Sequence, residues 1–280
     1  SAMRGHRVTL FDRRPELGGQ INLAVKIPGK QEFFETLRFY RVMLEKYGVE
    51  LKLGQTVDAE TLNSGTFDLV VLSTGVKPRE LELDGIDHPK VMSYLDVLDK
   101  ERVVGQKVAV IGAGGIGIDV AHYLTAQSPF SGEVPEYLQG YGILDSEKAL
   151  ALRKPKKREV TVLQRSADKI GKRLGKTTGW AHIQTLKSHG VQLLPGATYL
   201  KIDDSGLHVR VALKKGEEPK DIVFEVDNVI VAAGQEPRRE LETSLRKAGF
   251  EVHVIGGAKA ALGLDAKTAI SDGAELAAKL

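Results

Sequence analysis

Three blocks of this sequence occur twice, in the same order, and no other feature limits the possible folds as much. Arg7-Val8-Thr9-Leu10-Phe11-Asp12-Arg13 is matched by Glu159-Val160-Thr161-Val162-Leu163-Gln164-Arg165, both β-branched-rich runs that end in a polar residue. Gly48-Val49-Glu50-Leu51 is matched by Gly190-Val191-Gln192-Leu193, each Gly closing a helix ahead of a strand. Asp68, Gly75, Pro78 and Arg79 are matched at identical spacing by Asp227, Gly234, Pro237 and Arg238. Each half alternates strands with helices, which is the pattern of a doubly wound α/β sheet. The 280 residues, 42% hydrophobic, suffice for two ordinary cores, so two interlocked domains are expected.

Phe33, Leu37, Tyr40, Leu44 and Tyr47 recur at three- and four-residue steps and predict a helix within 31–48 whose aromatic face packs into a core. Trp180, Ile183 and Leu186 predict the same for the second half. Asp203-Asp204-Ser205-Gly206, between Tyr199–Ile202 and Leu207–Val211, predicts a hairpin.

The second half carries the more specific motif. Val108-Ala109-Val110-Ile111 reads as a buried strand, followed at once by Gly112-Ala113-Gly114-Gly115-Ile116-Gly117 and a helix-compatible run from Ile118 to Leu124. Strand, GxGxxG turn and helix in this order are the context a Rossmann-like dinucleotide site requires. Gly112 makes the tight turn, Gly114 and Gly115 let the backbone approach a pyrophosphate, and Gly117 permits close helix–strand packing. The helix N-terminus offers free N–H groups and a positive dipole end to the phosphates. The following strand ends in Gln164-Arg165-Ser166, where an NAD site would carry an acid. Without a carboxylate to repel it, a 2′-phosphate can be held by Arg165 and Ser166, which selects NADPH over NADH. Lys169, Lys172 and Arg173 read as a solvated face. Much more chain than usual separates Gly117 from Arg165, implying an insertion near 127–158. Its basic run Arg153–Arg158 lacks interleaved aromatics and reads as loop, not as a nucleic-acid patch.

By the repeat, Val8–Phe11 is the second strand of the first half and Asp12 its ribose-binding acid. Such an acid follows its glycine loop by about 20 residues. The chain is therefore expected to begin inside a domain, after that domain's first strand and phosphate loop, and to hold FAD weakly. The remaining first half still resembles a dinucleotide site. Gly18-Gly19-Gln20 is a turn where backbone and amide can approach a flavin, and Val57 can offer backbone hydrogen bonds to adenine. Thr74-Gly75, with its counterpart Gly234, ends a strand at the carboxyl edge of a sheet, where α/β folds bind ligands. Ile255-Gly256-Gly257 follows a strand, and Asp265 starts a last helical stretch whose N-terminus can face a flavin or phosphate.

A formal charge of +3 asks for neither a nucleic-acid nor a membrane partner. With no cysteine there is no disulfide, no CxxC pair and no thiolate-bound cluster within these residues. Redox chemistry must rest on organic cofactors. No residue presents itself as acid, base or nucleophile, and the histidines lack metal-ligand spacing. No apolar run approaches the length of a membrane span and no signal core is present, so a cytoplasmic location is expected.

Phe11-Asp12 with Gly18-Gly19-Gln20, Ile27-Pro28-Gly29-Lys30, Gly85-Ile86-Asp87-His88-Pro89-Lys90, Leu174-Gly175-Lys176-Thr177-Thr178-Gly179-Trp180 and Ile255-Gly256-Gly257 resemble the carboxyl-terminal region of bacterial NADPH-dependent 2,4-dienoyl-CoA reductases, relatives of old yellow enzyme. The likeness covers nearly the whole chain. It implies that hydride passes from NADPH to FAD, and that electrons move on through an iron–sulfur cluster to FMN in an amino-terminal barrel. There a dienoyl-CoA of fatty-acid β-oxidation is reduced. It implies FAD contacts at Asp12, Gln20 and Lys30, a backbone contact at Val57, Gly257 near the flavin, and Arg165 with Ser166 on the 2′-phosphate. One departure is Gly256-Gly257, where related reductases carry Gly-Asp. The expected domains are 1–104 with 237–280 for FAD, its first strand and glycine loop missing, and 105–236 for NADPH. A related enoate reductase or amine dehydrogenase fits the same residues, as does a nucleotide-binding module without turnover.

Overall fold

The computed structural model describes residues 1–62, 67–126, 142–143, 145, 158–172, 174–175, 177–212 and 216–280. It divides into two compact units, Ser1–Arg79 with Gln235–Leu280, and Glu80–Gly234. The first contains β1 (Thr9–Asp12), α1 (Ile21–Ala24), α2 (Phe33–Lys46), β2 (Glu50–Leu53), α3 (Ala59–Leu62), β3 (Leu69–Leu72) and β4 (Val76–Pro78). The second contains β5 (Val91–Ser93), α4 (Tyr94–Leu98), β6 (Lys107–Ile111), α5 (Gly115–Ala126), β7 (Glu159–Leu163), α6 (Gly179–Ser188) and β8 (Gln192–Leu194). Strands β9 (Thr198–Asp203), β10 (Gly206–Val211), β11 (Lys220–Phe224) and β12 (Asn228–Val231) complete it. The chain then returns to the first unit as β13 (Gln235–Pro237), α7 (Glu240–Lys247), β14 (Glu251–Val254), α8 (Gly256–Lys259) and α9 (Ala266–Lys279).

The boundary expected at 104/105 lies instead at Arg79/Glu80, and the return at Gly234/Gln235. The reason is β5, which pairs parallel with β12 and so belongs to the second unit's sheet.

That sheet is parallel throughout, in the order β5-β12-β6-β7-β8. A parallel sheet is covered on both faces, and its central strands are accordingly apolar without alternation. Val108, Ala109, Val110 and Ile111 of β6 are all buried. Ala109, Ile111 and Leu163 pack against Leu207, Val209 and Val211 of the antiparallel β9-β10-β11 layer. Period-two alternation turns Val108 and Val110 the other way, the side of α5, whose Ile118, Val120, Ala121 and Leu124 are buried. Each buried Val, Leu or Ile among them contributes about 1.5–3 kcal/mol. Arg158, the last residue of the basic run, is part-buried and donates from its guanidinium to the carbonyls of Gly105, Leu124 and Val104. The rest of that run, like most of the expected 127–158 insertion, lies outside the described residues.

The repeat is visible in three places. Helices α2 and α6 end on Gly48 and Gly190, both at positive φ. Val49 N–H donates to Leu44 O and Val191 N–H to Leu186 O, each at 2.9 Å, as in a Schellman ending. Strands β4 and β13, equivalent parts of the third block, pair antiparallel with each other, Lys77 opposite Glu236. The pairs β1–β2 and β7–β8 are both parallel.

The halves differ in one respect. Strand β6 hydrogen-bonds to β7 on one side and β12 on the other. Their counterparts β1 and β3 are each paired on one edge only, with β2 and β14, and among the described residues no strand joins them. Asp227 holds the start of β6 by accepting from Gln106 N–H (2.7 Å) and Lys107 N–H (2.8 Å), which keeps its carboxyl below the usual range. Its counterpart Asp68 is exposed and makes no side-chain hydrogen bond among the described residues.

Two packing expectations need correction. No residue of α2 is buried: Phe34, Phe39 and Val42 are half or more exposed, and Tyr40 and Tyr47 are exposed as well. The one-turn α1 packs against this helix and is too short to cover it. Trp180 is 72% exposed; the inward stripe of α6 is Gly179, Ile183 and Leu186, with Gly179 close against Leu174. The hairpin expectation holds, with β9 and β10 joined through Asp204 and Ser205.

Candidate functional site

The turn after β6 has the geometry its glycines predict. Gly112, at φ 109°, donates its N–H to Leu163 O at 2.9 Å. A Cβ there would overlap the carbonyl oxygen of Ala232. Gly117 is buried, and a Cβ on it would overlap the carbonyl oxygen of Gly112 and stand 2.9 Å from its carbon. Helix α5 can therefore rest on the turn only because residue 117 has no side chain. Gly114 and Gly115 are the opposite case. Both are exposed, and a Cβ on either would meet nothing within 4 Å. Packing within the protein does not demand glycine there, and the backbone is left open to approach from outside. Ile118 N–H donates to Gly114 O at 3.0 Å, so the helix starts at Gly115 and its first-turn amides face that open space. The sequence Gly114-Gly115 thus forms an open cradle over a helix N-terminus, the arrangement that suits a pyrophosphate.

The second element is the turn after β7. Arg165 is exposed and, among the described residues, forms no ion pair. It stands at a cavity of about 280 Å³ lined by Leu81, Glu82, Leu83, Arg165, Ala197, Thr198 and Tyr199. The Tyr199 hydroxyl donates to Leu163 O at 3.1 Å. Burial pushes its pKa up to about 12, against the pull of the neighbouring Arg165 charge. Ser166 Oγ accepts from Asp168 N–H at 3.2 Å, and among the described residues nothing takes its hydroxyl hydrogen. Gln164 Nε2 donates to Ser166 O (2.9 Å) and to Asp168 O (2.6 Å). Of the later cations, Lys172 is paired with Asp168 at 2.8 Å, Lys169 is exposed and Arg173 lies outside the described residues. Arg165 and Ser166 stand just after β7, with Lys169 as a further exposed cation.

The first unit gathers its candidates less tightly. Asp12 ends β1, and its Oδ1 accepts from Arg14 N–H at 2.9 Å. Gly19 adopts φ 51° with open space beside it, and the exposed Gln20 caps α1, its Oε1 3.4 Å from Gln235 Nε2. Half-buried Lys30 closes the turn after α1 with its N–H on Ile27 O at 3.0 Å. The Val57 side chain packs against the Leu62, Leu72, Leu245 and Val252 core. Thr74 donates its hydroxyl to Arg238 O, and Arg238 N–H donates to Gly75 O at 2.9 Å, so this strand end is tied to the return segment. Gly75 and Gly234 both take positive φ, 73° and 112°.

Two further candidates have packing explanations. Gly257 is buried, and a Cβ on it would stand 2.9 Å from Val76 Cγ1 and Leu264 Cδ2 and 3.1 Å from the Gly75 carbonyl carbon, so close packing favours glycine. Asp265 caps α9 by accepting from Thr268 N–H at 2.7 Å, a bond that lowers its pKa. The cap gives Asp265 a structural role of its own at the N-terminus expected to face a flavin or phosphate.

The fold assembles two clusters that spacing alone does not reveal. His122 on α5 lies beside His182 on α6 and His189 at the end of α6, with ring centroids 6.3 and 5.9 Å away. On the hairpin, Asp203 Oδ1 and Ser205 Oγ both lie 2.9 Å from His208 Nε2. A relay needs serine and acid on opposite ring nitrogens, and here they share one. The cluster is a hairpin lock.

Residues 1–264 match the family model described as pyridine nucleotide-disulphide oxidoreductase. The chain belongs to this family. With no cysteine, it contributes no disulphide chemistry of its own. Similar proteins include a metal reductase of Desulforamulus reducens, 29% identical over 263 residues that make up 92% of this chain and 38% of that protein. A cinnamate reductase of Clostridium sporogenes is 28% identical over 265 residues, 92% of this chain and 34% of the relative. Among solved structures, a 2-naphthoyl-CoA reductase in complex with 2-naphthoyl-CoA superposes with a TM-score of 0.80 at 28% identity, covering 100% of this chain and 37% of that one. A thioredoxin reductase of T. acidophilum shares the fold, with a TM-score of 0.63 at 18% identity, over 100% of this chain and 91% of that one. The chain thus spans 34–38% of the length of the metal, cinnamate and 2-naphthoyl-CoA reductases. Among the described residues no helix is long and apolar enough to cross a membrane.

Proposed function

We propose that this chain is the electron-entry part of a larger flavoenzyme, taking reducing equivalents from NADPH and delivering them, by way of FAD, to a conjugated acyl thioester of the 2,4-dienoyl-CoA type. The observation that carries the reading is the pair of features at one sheet edge: exposed glycines that no packing contact demands, at the start of a helix, and a guanidinium at the end of the next strand with no ion pair among the described residues. They fit a dinucleotide with a third phosphate. When bound, NADPH supplies hydride and FAD accepts it. The chain's residues bind and orient. Amides of the Gly114-Gly115 turn receive the pyrophosphate, Arg165 neutralises the 2′-phosphate, and the Ser166 hydroxyl donates to it. In the first unit Asp12 takes the ribose of FAD, with Gly19, Gln20, Lys30, Val57, Thr74 and Gly75 around it.

Among the described residues β1 and β3 each have one unpaired edge and Asp68 makes no side-chain hydrogen bond, which supports a strand, glycine turn and helix of the same build as Lys107–Ala126 between them. We assign the FAD pyrophosphate turn to such a segment, and FMN, any iron–sulfur cluster and the substrate barrel to the remaining length of the enzyme. The thioester reading is supported by the quoted motifs and by the naphthoyl-CoA reductase, which also acts on an aromatic-conjugated thioester by its name. That relatives named for cinnamate, bilirubin and metal share this one stretch supports placing substrate choice elsewhere.

The test is a titration of the purified chain with NADPH and NADH, before and after Arg165→Ala. The expected result is tighter NADPH binding in the wild type and loss of most of that preference, roughly ten- to hundredfold, in the variant. Equal binding of both nucleotides by the wild type overturns the NADPH assignment.

A further inference from the structure

We propose that Gln164 is a positioning residue for cofactor choice: its side-chain amide closes the turn that presents Arg165 and Ser166 to the 2′-phosphate. This rests on the NADPH reading of that turn and names what builds it. The backbone of the turn is the same in both halves of the repeat. Ala197 N–H donates to Gln164 O at 2.9 Å and Gly196 N–H to Ser166 O at 2.9 Å; in the first half Gln55 N–H donates to Asp12 O at 3.0 Å and Gly54 N–H to Arg14 O at 2.8 Å. At the shared position the side chains have opposite polarity. Asp12 is an acceptor and draws in the Arg14 N–H. Gln164 is a donor, and both hydrogens of its amide nitrogen are used, one on Ser166 O and one on Asp168 O.

This reversal sets what the turn can hold. With Ser166 O filled by Gln164 and Gly196, and Ser166 Oγ taken up by Asp168 N–H, the hydroxyl hydrogen of Ser166 is left to point at a phosphate oxygen. Fixing Ser166 and Asp168 also fixes the segment that begins with Arg165, so less ordering remains to be done when the phosphate arrives. A carboxylate at 164 would face two carbonyl oxygens and add negative charge beside a phosphate dianion. The position therefore excludes an acid for a geometric reason as well as an electrostatic one.

The experiment measures NADPH and NADH dissociation constants for the wild-type chain, Gln164→Met, Gln164→Glu and Arg165→Ala. Methionine keeps the volume and removes the donors without adding charge. NADPH binding is expected to weaken roughly tenfold in Gln164→Met, with NADH changed by less than about twofold, and to weaken further in Gln164→Glu. Retained NADH binding shows that either variant is folded, and the isosteric Gln164→Glu serves if the methionine variant does not fold. A wild-type NADPH-to-NADH ratio in Gln164→Met, alongside a collapsed ratio in Arg165→Ala, overturns the role of Gln164 alone. No NADPH preference in the wild type, or one that survives Arg165→Ala, overturns the underlying reading and this inference with it.

Discussion

Gly114 and Gly117, three residues apart, should respond in opposite ways to the same added methyl group. In Gly117→Ala the new Cβ overlaps the Gly112 carbonyl oxygen and stands 2.9 Å from its carbon, whereas ordinary contacts begin near 3.4 Å. Backbone, not a flexible side chain, must yield, by about 1 Å to clear the carbonyl oxygen, at the point where α5 rests on the β6 turn. Overpacking of this kind costs about 1–3 kcal/mol. In Gly114→Ala the Cβ meets nothing within 4 Å and the residue is exposed, so stability should change by less than about 1 kcal/mol. The same methyl, however, enters the space through which a pyrophosphate must reach the first-turn amides, and NADPH should bind at least roughly tenfold more weakly. Urea unfolding midpoints and NADPH titrations of both variants separate the two effects. If Gly114→Ala binds NADPH like the wild type, the ligand does not pass over that turn. If Gly117→Ala unfolds at the wild-type midpoint, the close helix contact is not a constraint.

The capping box of α4 gives an acid-stability prediction. Burial would raise the Asp96 carboxyl, but hydrogen bonds from Ser93 and Lys100 bring it down to about 2. A folded-state value below the unfolded one stabilises the protein above pH ~4 and is lost as the pH falls through ~2, a contribution of about 2 kcal/mol. Asp96→Asn should therefore flatten the loss of stability between those pH values; an unchanged acid profile would contradict the assignment. Arg158→Met leaves three carbonyls without their guanidinium, Leu124 O at the end of α5 among them, and should cost about 2–4 kcal/mol. NADPH affinity measured on the folded variant should hold within about twofold, since Arg158 touches the far end of α5, and a large loss of affinity would refute that separation.

Much of the second unit is legible in the sequence because its signals are local. Val108–Ile111, the GxGxxG turn and the helix behind it fix one another within a few residues, and Gln164-Arg165-Ser166 follows at a strand end that the repeat identifies. The repeat also shows that Asp12 and Gln164 are equivalent, but not that their side chains would act on the turn with opposite polarity. That depends on which way an amide is turned, and no spacing records it. The aromatics of α2 have the period of a buried face, yet periodicity says which residues share a side and not what covers it. Gly257 and Asp265 sit where a flavin site would place them, and close packing on Val76 and a helix cap explain them equally well. His122, His182 and His189 are far apart in sequence and meet only because α5 and α6 pack together.

Phosphorus NMR of bound NADPH addresses the third phosphate directly. A free phosphate monoester takes up its second proton near pH ~6, and a guanidinium beside it favours the dianion. Bound to the wild-type chain, the 2′-phosphate resonance should titrate at lower pH than in free NADPH, and should move back toward the free value in Arg165→Ala. A 2′-phosphate that titrates alike in the free and bound states would mean that no cation holds it, and the assignment of this turn to NADPH would be wrong.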